Sequence, residues 1–395
     1  MIQMEAKTYE EEENFCEEEK ENPFEIKNVQ KVELHNYKLE SKIRDGNYGK
    51  TYKIIDKKSG QVYAAKILKI NFNDQFRTKL SREVINMSKL NFPSIVKFVG
   101  YSPTDFDNLL RPVIVREFLP NYKLEETLEI ERNGYQIPVW NDTMRLICIY
   151  GIASSLKYLH SINIIHRNLK PDNILLDEHL FPKLFGFGFS KPLSTENNKQ
   201  RKSDLIGTPS FIAPELYEGE YTKASDVYSF AMCVYEIINK VFPFDNQSIY
   251  MIQYNVVYNK KRPSFKKDIP QVYKNLIESC WDQDPKKRPT FESIVEHLKT
   301  EKKFITKNVN EELYRSYIKY IDEGDESQIH NFPLISLEPF YQEYKDINEY
   351  SSGPGLFDPQ KIANMTVSKV IKGEFFTSQK LEDKQNVFFI NNIKS

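Results

Sequence analysis

Seven short segments of this chain carry residue types that could do chemistry together. Ile43-Arg-Asp-Gly-Asn-Tyr-Gly-Lys-Thr-Tyr52 sets Gly46 and Gly49 in a turn between two strand-like runs. A backbone without side chains can approach a phosphate closely there. Tyr63-Ala-Ala-Lys66 follows on the next such run, and its lysine can reach the same phosphate. Glu83 lies on the helical stretch beyond and can form a charge-assisted pair with it. His166-Arg-Asn-Leu-Lys-Pro-Asp-Asn173 and Lys183-Leu-Phe-Gly-Phe-Gly188 come next. Gly207-Thr-Pro-Ser-Phe-Ile-Ala-Pro-Glu215, Asp226-Val-Tyr-Ser-Phe230 and Cys280-Trp-Asp-Gln-Asp-Pro-Lys-Lys-Arg-Pro-Thr-Phe291 complete the set. Each alone is weak, since most glycine-rich turns are only turns. Seven in this order and spacing are not a coincidence.

The elements that must position them are legible in outline. Tyr37 to Ile43 and Thr51 to Asp56 read as strands, and after the turn DKKSG the run QVYAAKILKI reads as a third, so an antiparallel sheet is expected. From Phe76 to Leu90 the residues Leu80, Val84, Met87 and Leu90 recur on one helical face. VIVREFLPNYKL reads as a buried strand running into a polar connector. Beyond Leu124 the pattern is mostly helical: Asn141 caps a long amphipathic helix to about Leu159, and Tyr221 to Asn239, Val272 to Trp281 and Phe291 to Leu298 follow. The expected fold class is therefore α+β, with a small sheet-rich lobe over about 37–118 and a larger, mainly helical lobe over about 122–300.

The ends read differently. Residues 1–36 form an acidic block, with Glu10 to Glu21 too poor in apolar residues to offset ordering entropy, so a disordered or frayed helical tail is expected, the alternative being an acidic docking segment for a basic partner. Residues 301–395 form an extension of unassigned role, rich in Tyr and Phe and so suited to packing on the main body. In it NEELYRSYIKYI reads as a helix, SSGPGLFDPQ as a loop and VFFINNI as a strand-like end.

Composition sets bounds. The 395 residues carry 55 basic and 56 acidic side chains, which gives no global electrostatic reason to bind nucleic acid or an anionic membrane. A 40% apolar content supports a real core, and no run approaches the roughly 18 apolar residues of a membrane span. The acidic start MIQMEAKTYEEEE does not read as a secretory signal. Cys16, Cys148, Cys233 and Cys280 show no metal-ligand or redox spacing, and read as free thiols in a cytoplasmic protein.

Over about residues 37–300 the chain resembles the eukaryotic protein kinase domain. The HRxLKPxN segment resembles the serine/threonine class, while Asp226-Val-Tyr-Ser-Phe230 and the Cys280–Phe291 ending resemble the tyrosine-kinase-like branch. The resemblance implies a bilobal kinase fold and a nucleotide site of Ile43, Gly46, Gly49, Thr51, Ala64, Lys66, Glu83, Arg116, Glu117, Leu119 and Leu175. It implies catalytic-loop roles for positions 168, Lys170 and Asn173, with Asn173 also a weak metal ligand. It further implies a stacked spine of Met87, Phe98, His166 and Phe187, a bracing ion pair of Glu215 with Arg288, and Asp226 holding the catalytic loop by its backbone. Arg167 would pair a phosphate on the segment that carries Ser190, Ser194, Thr195, Ser203 and Thr208; the KQRK run there reads as a solvated loop face.

Departures from the family pattern bear on activity. Asn168 stands where the family has the aspartate that orients the substrate hydroxyl. Loss of a positioned general base removes about 10²–10⁴ in rate. Gly186 stands where the family has the metal-binding aspartate, and glycine offers no side-chain oxygen. Arg44 replaces the first glycine of the loop, and Arg116 occupies the position before Glu117; Glu83 is its nearest candidate partner by the resemblance, a pairing that would weaken Lys66–Glu83 and narrow the pocket, and the alternative is that Arg116 snorkels elsewhere. These substitutions imply a binding protein whose phosphotransfer is strongly impaired, with ATP bound with weak or absent magnesium dependence and other proteins, kinases or substrates, as partners. The alternative is an active or weakly active serine/threonine kinase.

Overall fold

A computed structural model describes residues 24–46, 49–69, 74–192, 207–219, 221–266, 268–330 and 332–351. Five antiparallel strands form the small lobe: β1 (Tyr37–Gly46), β2 (Gly49–Asp56), β3 (Val62–Leu68), β4 (Phe98–Ser102) and β5 (Val113–Glu117), in the order β1-β2-β3-β5-β4. Strand β4 has no sequence alternation, because Gly100 stands in its centre against the Val32 side chain. Helix α1 (Asp74–Lys89) lies beside the sheet and buries Leu80, Val84 and Met87, with Leu90 just beyond its end.

The connector after β5 leads to α2 (Leu124–Arg132) and α3 (Asp142–Ser161). Asn141 caps α3, its side-chain oxygen accepting from the Met144 amide at 3.2 Å. The expectation that α3 is amphipathic is corrected here. It is buried around nearly its whole circumference, because other helices and a strand pair surround it. Its one buried cation, Arg145, is paired with Glu131.

Short strands β6 (Ile164–Ile165), β7 (Ile174–Leu176), β8 (Pro182–Leu184) and β9 (Lys191–Pro192) carry the loops between the lobes. Helices α4 (Lys223–Asn239), α5 (Ile249–Val257), α6 (Gln271–Cys280) and α7 (Phe291–Thr300) build the large lobe. Among the described residues no helix is long and apolar enough to cross a membrane.

Segments flanking both ends of the expected domain pack against it. Phe24, Ile26 and Leu34 are buried in the small lobe, and the Tyr101 hydroxyl donates to the Phe24 carbonyl at 2.8 Å. The acidic-tail reading therefore fails for residues 24–36: a few apolar side chains suffice to anchor the segment. Glu10 to Glu21 lies outside the described residues. At the other end, α8 (Glu311–Glu323) and α9 (Glu338–Ser351) follow α7. Tyr314, Tyr317, Phe332, Leu337 and Tyr341 join the core cluster of the large lobe. Tyr317 reaches Ser94 (2.9 Å between hydroxyls) and sits where a side chain on Gly151 would collide with it. The SSGPGLFDPQ loop, apart from its first serine, and the VFFINNI end lie outside the described residues.

Candidate nucleotide cleft

Strand register assembles the roof of the cleft. Cross-strand partners share a sheet face, and Arg44 on β1 pairs with Thr51 on β2, which pairs with Lys66 on β3. One row of the sheet thus presents Arg44, Thr51 and Lys66 together. In the next row Ala64 pairs with Arg116 and Arg116 with Phe98. Gly46 and Gly49 close the β1–β2 hairpin, and Gly49 has no room for a side chain, since a Cβ there would lie 2.4 Å from the Ile67 carbonyl oxygen. Ile43 is exposed, whereas Ala64, Leu119 and Leu175 are buried. The Leu119 amide and carbonyl make no hydrogen bond among the described residues, so this edge is free to read a flat heterocycle.

Lys66 Nζ lies 3.4 Å from Glu83 Oε1, so α1 is drawn against the sheet. The expectation that Arg116 takes Glu83 is corrected. The Arg116 guanidinium instead lies over the Phe185 ring at 5.9 Å, and its Nη1 is buried without a hydrogen-bond partner. Burial pushes its pKa down to about 10, with Arg44 adding repulsion and Glu117 and Glu83 opposing. Glu117 points away, accepting from the Lys97 amide at 2.7 Å.

The floor is held from below. Asp226 accepts from the His166 amide (2.8 Å), the Arg167 amide (2.9 Å) and His160 Nε2 (2.9 Å). Burial works against its charge, yet these hydrogen bonds and the neighbouring imidazoles hold its pKa below the ordinary carboxylate value. Glu215 and Arg288 form a bidentate pair at 2.7 and 2.8 Å. The His166 and Phe187 rings meet edge to face at 5.4 Å; Met87 is buried and Phe98 partly buried against the same core. Asn86, which the sequence reading missed, donates to the carbonyls of Phe187 and Ser190 and ties α1 to that turn. Its signal was an amide placed beside Met87 on an otherwise apolar face.

The positions of chemistry converge. Asn173 Nδ2 donates to the Asn168 carbonyl at 2.7 Å. Gly186 is left-handed (φ 90°, ψ 43°), and a Cβ there would lie 2.8 Å from Asn173 Oδ1. Lys170 pairs with Asp172 at 3.2 Å, and Lys123 approaches the same carboxylate at 3.5 Å. Among the described residues no group of three acidic, His or Cys side chains could hold a metal. Asn173 Oδ1 is the atom nearest the Cβ position of Gly186, and neither Asn168 nor Gly186 supplies a carboxylate, so these residues do not fit the two-ion cradle of a phosphotransferase.

Arg167 has φ 68° and lies over the Tyr221 ring at 3.9 Å, its three guanidinium nitrogens buried without hydrogen-bond partners among the described residues. Of the hydroxyls considered as phosphate acceptors, Ser190 is buried and bonded to the His166 carbonyl, so it is not available for modification. Thr208 is part-buried; Ser194, Thr195, Ser203 and the KQRK run lie outside the described residues.

At the mouth, Arg44 meets Glu126 of α2 in a bidentate pair at 2.7 and 2.8 Å. Glu126 is also fixed by the Lys123 amide at 2.9 Å. Next to it the Tyr122 ring stacks on Tyr341 of α9 with centroids 3.6 Å apart, and the Tyr122 hydroxyl donates to Glu338. Nothing in the sequence links residues so far apart.

Comparison with known proteins agrees with this architecture. The protein kinase domain model matches residues 37–298. A probable serine/threonine-protein kinase of Dictyostelium discoideum is 32% identical over 270 residues, which cover 68% of this chain and 28% of the relative. The dual specificity protein kinase shkC of the same organism is 31% identical over 265 residues, covering 66% of this chain and 50% of the relative. The serine/threonine-protein kinase STY17 of Arabidopsis thaliana is 30% identical over 269 residues, covering 68% and 45%. The match thus spans half or less of each of these relatives. The chain belongs to the protein kinase domain family.

Proposed function

We propose that this kinase-fold protein is a pseudokinase of the tyrosine-kinase-like branch, which binds nucleotide and partner proteins in signalling while its phosphotransfer is strongly impaired. One observation carries the reading: Asn168, Asn173 and Gly186 meet at the point of chemistry and contribute no carboxylate between them. Two acids of the cleft, Glu83 and Asp172, are paired with Lys66 and Lys170. A normal kinase turns over at about 1–100 s⁻¹. Lys66, the hairpin glycines and the free Leu119 edge support ATP binding with little magnesium dependence. The branch assignment rests on Asp226-Val-Tyr-Ser-Phe230 and the Cys280–Phe291 ending. The buried free thiols Cys148, Cys233 and Cys280 support a cytoplasmic setting.

Phosphotransfer from labelled ATP to the protein itself and to a generic substrate tests the reading; turnover at ordinary kinase rates refutes it. A thermal-shift titration with ATP, with and without magnesium, tests the nucleotide part, since bound ligand adds RT ln(1 + [L]/Kd). No stabilisation at millimolar ATP removes that part.

A second reading, a weakly active serine/threonine kinase, is favoured by the intact Lys66–Glu83 pair and by the kinase names of the relatives. It fails if Lys66→Ala leaves any measured activity unchanged.

A further inference from the structure

Arg44, Lys66 and Arg116 project from one face of the small sheet. Cross-strand partners share a face, and so do residues two apart on a strand. Lys66 pairs with Thr51, and Thr51 with Arg44. Ala64, two residues from Lys66 on β3, pairs with Arg116 on β5. Two of these cations are matched by acids, Arg44 by Glu126 and Lys66 by Glu83.

Arg116 is not matched. It makes no ion pair among the described residues, and its Nη1 is buried without a hydrogen-bond partner. Glu117, its neighbour in the chain, is engaged with the Lys97 amide at 2.7 Å and with Lys183 at 3.8 Å. The Phe185 ring, 5.9 Å from the guanidinium, attracts the charge but accepts nothing from the in-plane N–H groups. A buried cationic donor left open is costly, so a ligand that brings an acceptor to it gains affinity.

The place of Arg116 in the chain indicates which acceptor. Three residues further on, the Leu119 amide and carbonyl are free of hydrogen bonds among the described residues. A purine between the buried Ala64 and Leu175 would offer this edge its N1 and, beside it, the group on C6. Adenine N1 can accept from the Leu119 amide, but the 6-amino group then turns its hydrogens toward another donor. In a 6-oxopurine, N1–H can donate to the Leu119 carbonyl while O6 accepts from the guanidinium. We propose that Arg116 makes the cleft a site for 6-oxopurine nucleotides, inosine or guanosine phosphates, in preference to adenine nucleotides. The inference rests on the nucleotide-binding reading above and adds the identity of the base.

Thermal-shift titrations of the full chain with ITP, GTP and ATP, each with and without magnesium, test this. ITP is the decisive probe, because hypoxanthine differs from adenine only in the 6-substituent and the proton it places on N1. ITP and GTP should bind about tenfold or more tighter than ATP. Arg116→Met keeps an unbranched side chain without donors and should abolish the preference, chiefly by weakening ITP about tenfold. Its melting temperature without ligand checks the fold, and the comparison on the parent protein stands without it. ATP bound as tightly as ITP overturns this proposal and leaves the nucleotide-binding reading intact. Stabilisation by none of the three overturns both. A preference for ITP that survives in folded Arg116→Met assigns the selection to other residues and overturns this one.

Discussion

Arg44 and Glu126 join the two lobes across the mouth of the cleft by a bidentate ion pair. Where the family has a glycine that leaves the hairpin free to lift, this chain has a side chain that ties it to α2. Burial is the largest influence on the Arg44 charge and works against it, but the hydrogen bond and the charge of Glu126, with Tyr341 and Tyr122, together outweigh it and raise the arginine pKa. Both side chains are about a third exposed, so solvent screening limits the pair to about 1 kcal/mol. Glu126→Ala should therefore speed amide exchange in β1 and β2 by several-fold and leave α6 unchanged. Unchanged exchange in the hairpin would show that the pair restrains nothing.

Restoring a carboxylate at position 186 should be costly. Gly186→Asp places a Cβ against Asn173 Oδ1 on a left-handed residue. We expect a loss of about 1–2 kcal/mol in urea denaturation from the left-handed backbone, which persists in the Gly186→Asp, Asn173→Ala double variant because that change removes only the side-chain clash. A Gly186→Asp protein as stable as the parent would contradict this packing. With Asn168→Asp added, any gain in phosphotransfer would show a scaffold that lacks only its acids.

Asp226 should make the large lobe acid-sensitive. Its folded pKa is depressed, so its contribution to stability is complete above the unfolded value near 3.8 and is lost as pH falls through the folded one. Asp226→Asn should cost about 3 kcal/mol at pH 7. That gap should narrow below pH 4, as followed by denaturant titration. A gap constant from pH 7 to pH 3 would remove the carboxylate from this role.

The extension beyond residue 300 should behave as part of the domain. Tyr317 is fully buried among Ser94, Gly151 and Phe181. Tyr317→Ala should cost about 3–5 kcal/mol, and Gly151→Ala should destabilise by forcing Tyr317 and Pro182 aside. Near-native melting temperatures for both would show that α8 only rests on the surface.

The lobes and most helices were legible because each depends on local pattern: strand-like runs on either side of turns in β1 to β3, the Leu80–Leu90 face, the Asn141 cap; most residues of the cleft came instead from the family resemblance. What escaped depends on distance in the chain. The sequence marks Arg44 and Arg116 as unusual, but not that the first finds Glu126 and the second lies over Phe185. Aromatic content hinted that the extension packs, but not that Tyr341 would reach Tyr122. Helix α3 misled because periodicity reports one buried face and its Ser, Gly and Cys hide a second.

Asn121 grips the backbone on both sides of Ser336, donating to the Ile335 carbonyl at 2.9 Å and accepting from the Leu337 amide at 2.8 Å. The connector between the lobes is thereby splinted by the far end of the chain. Detaching residues 335–341 would therefore leave the Asn121 side chain and the Tyr122 ring, both on the connector, without their partners.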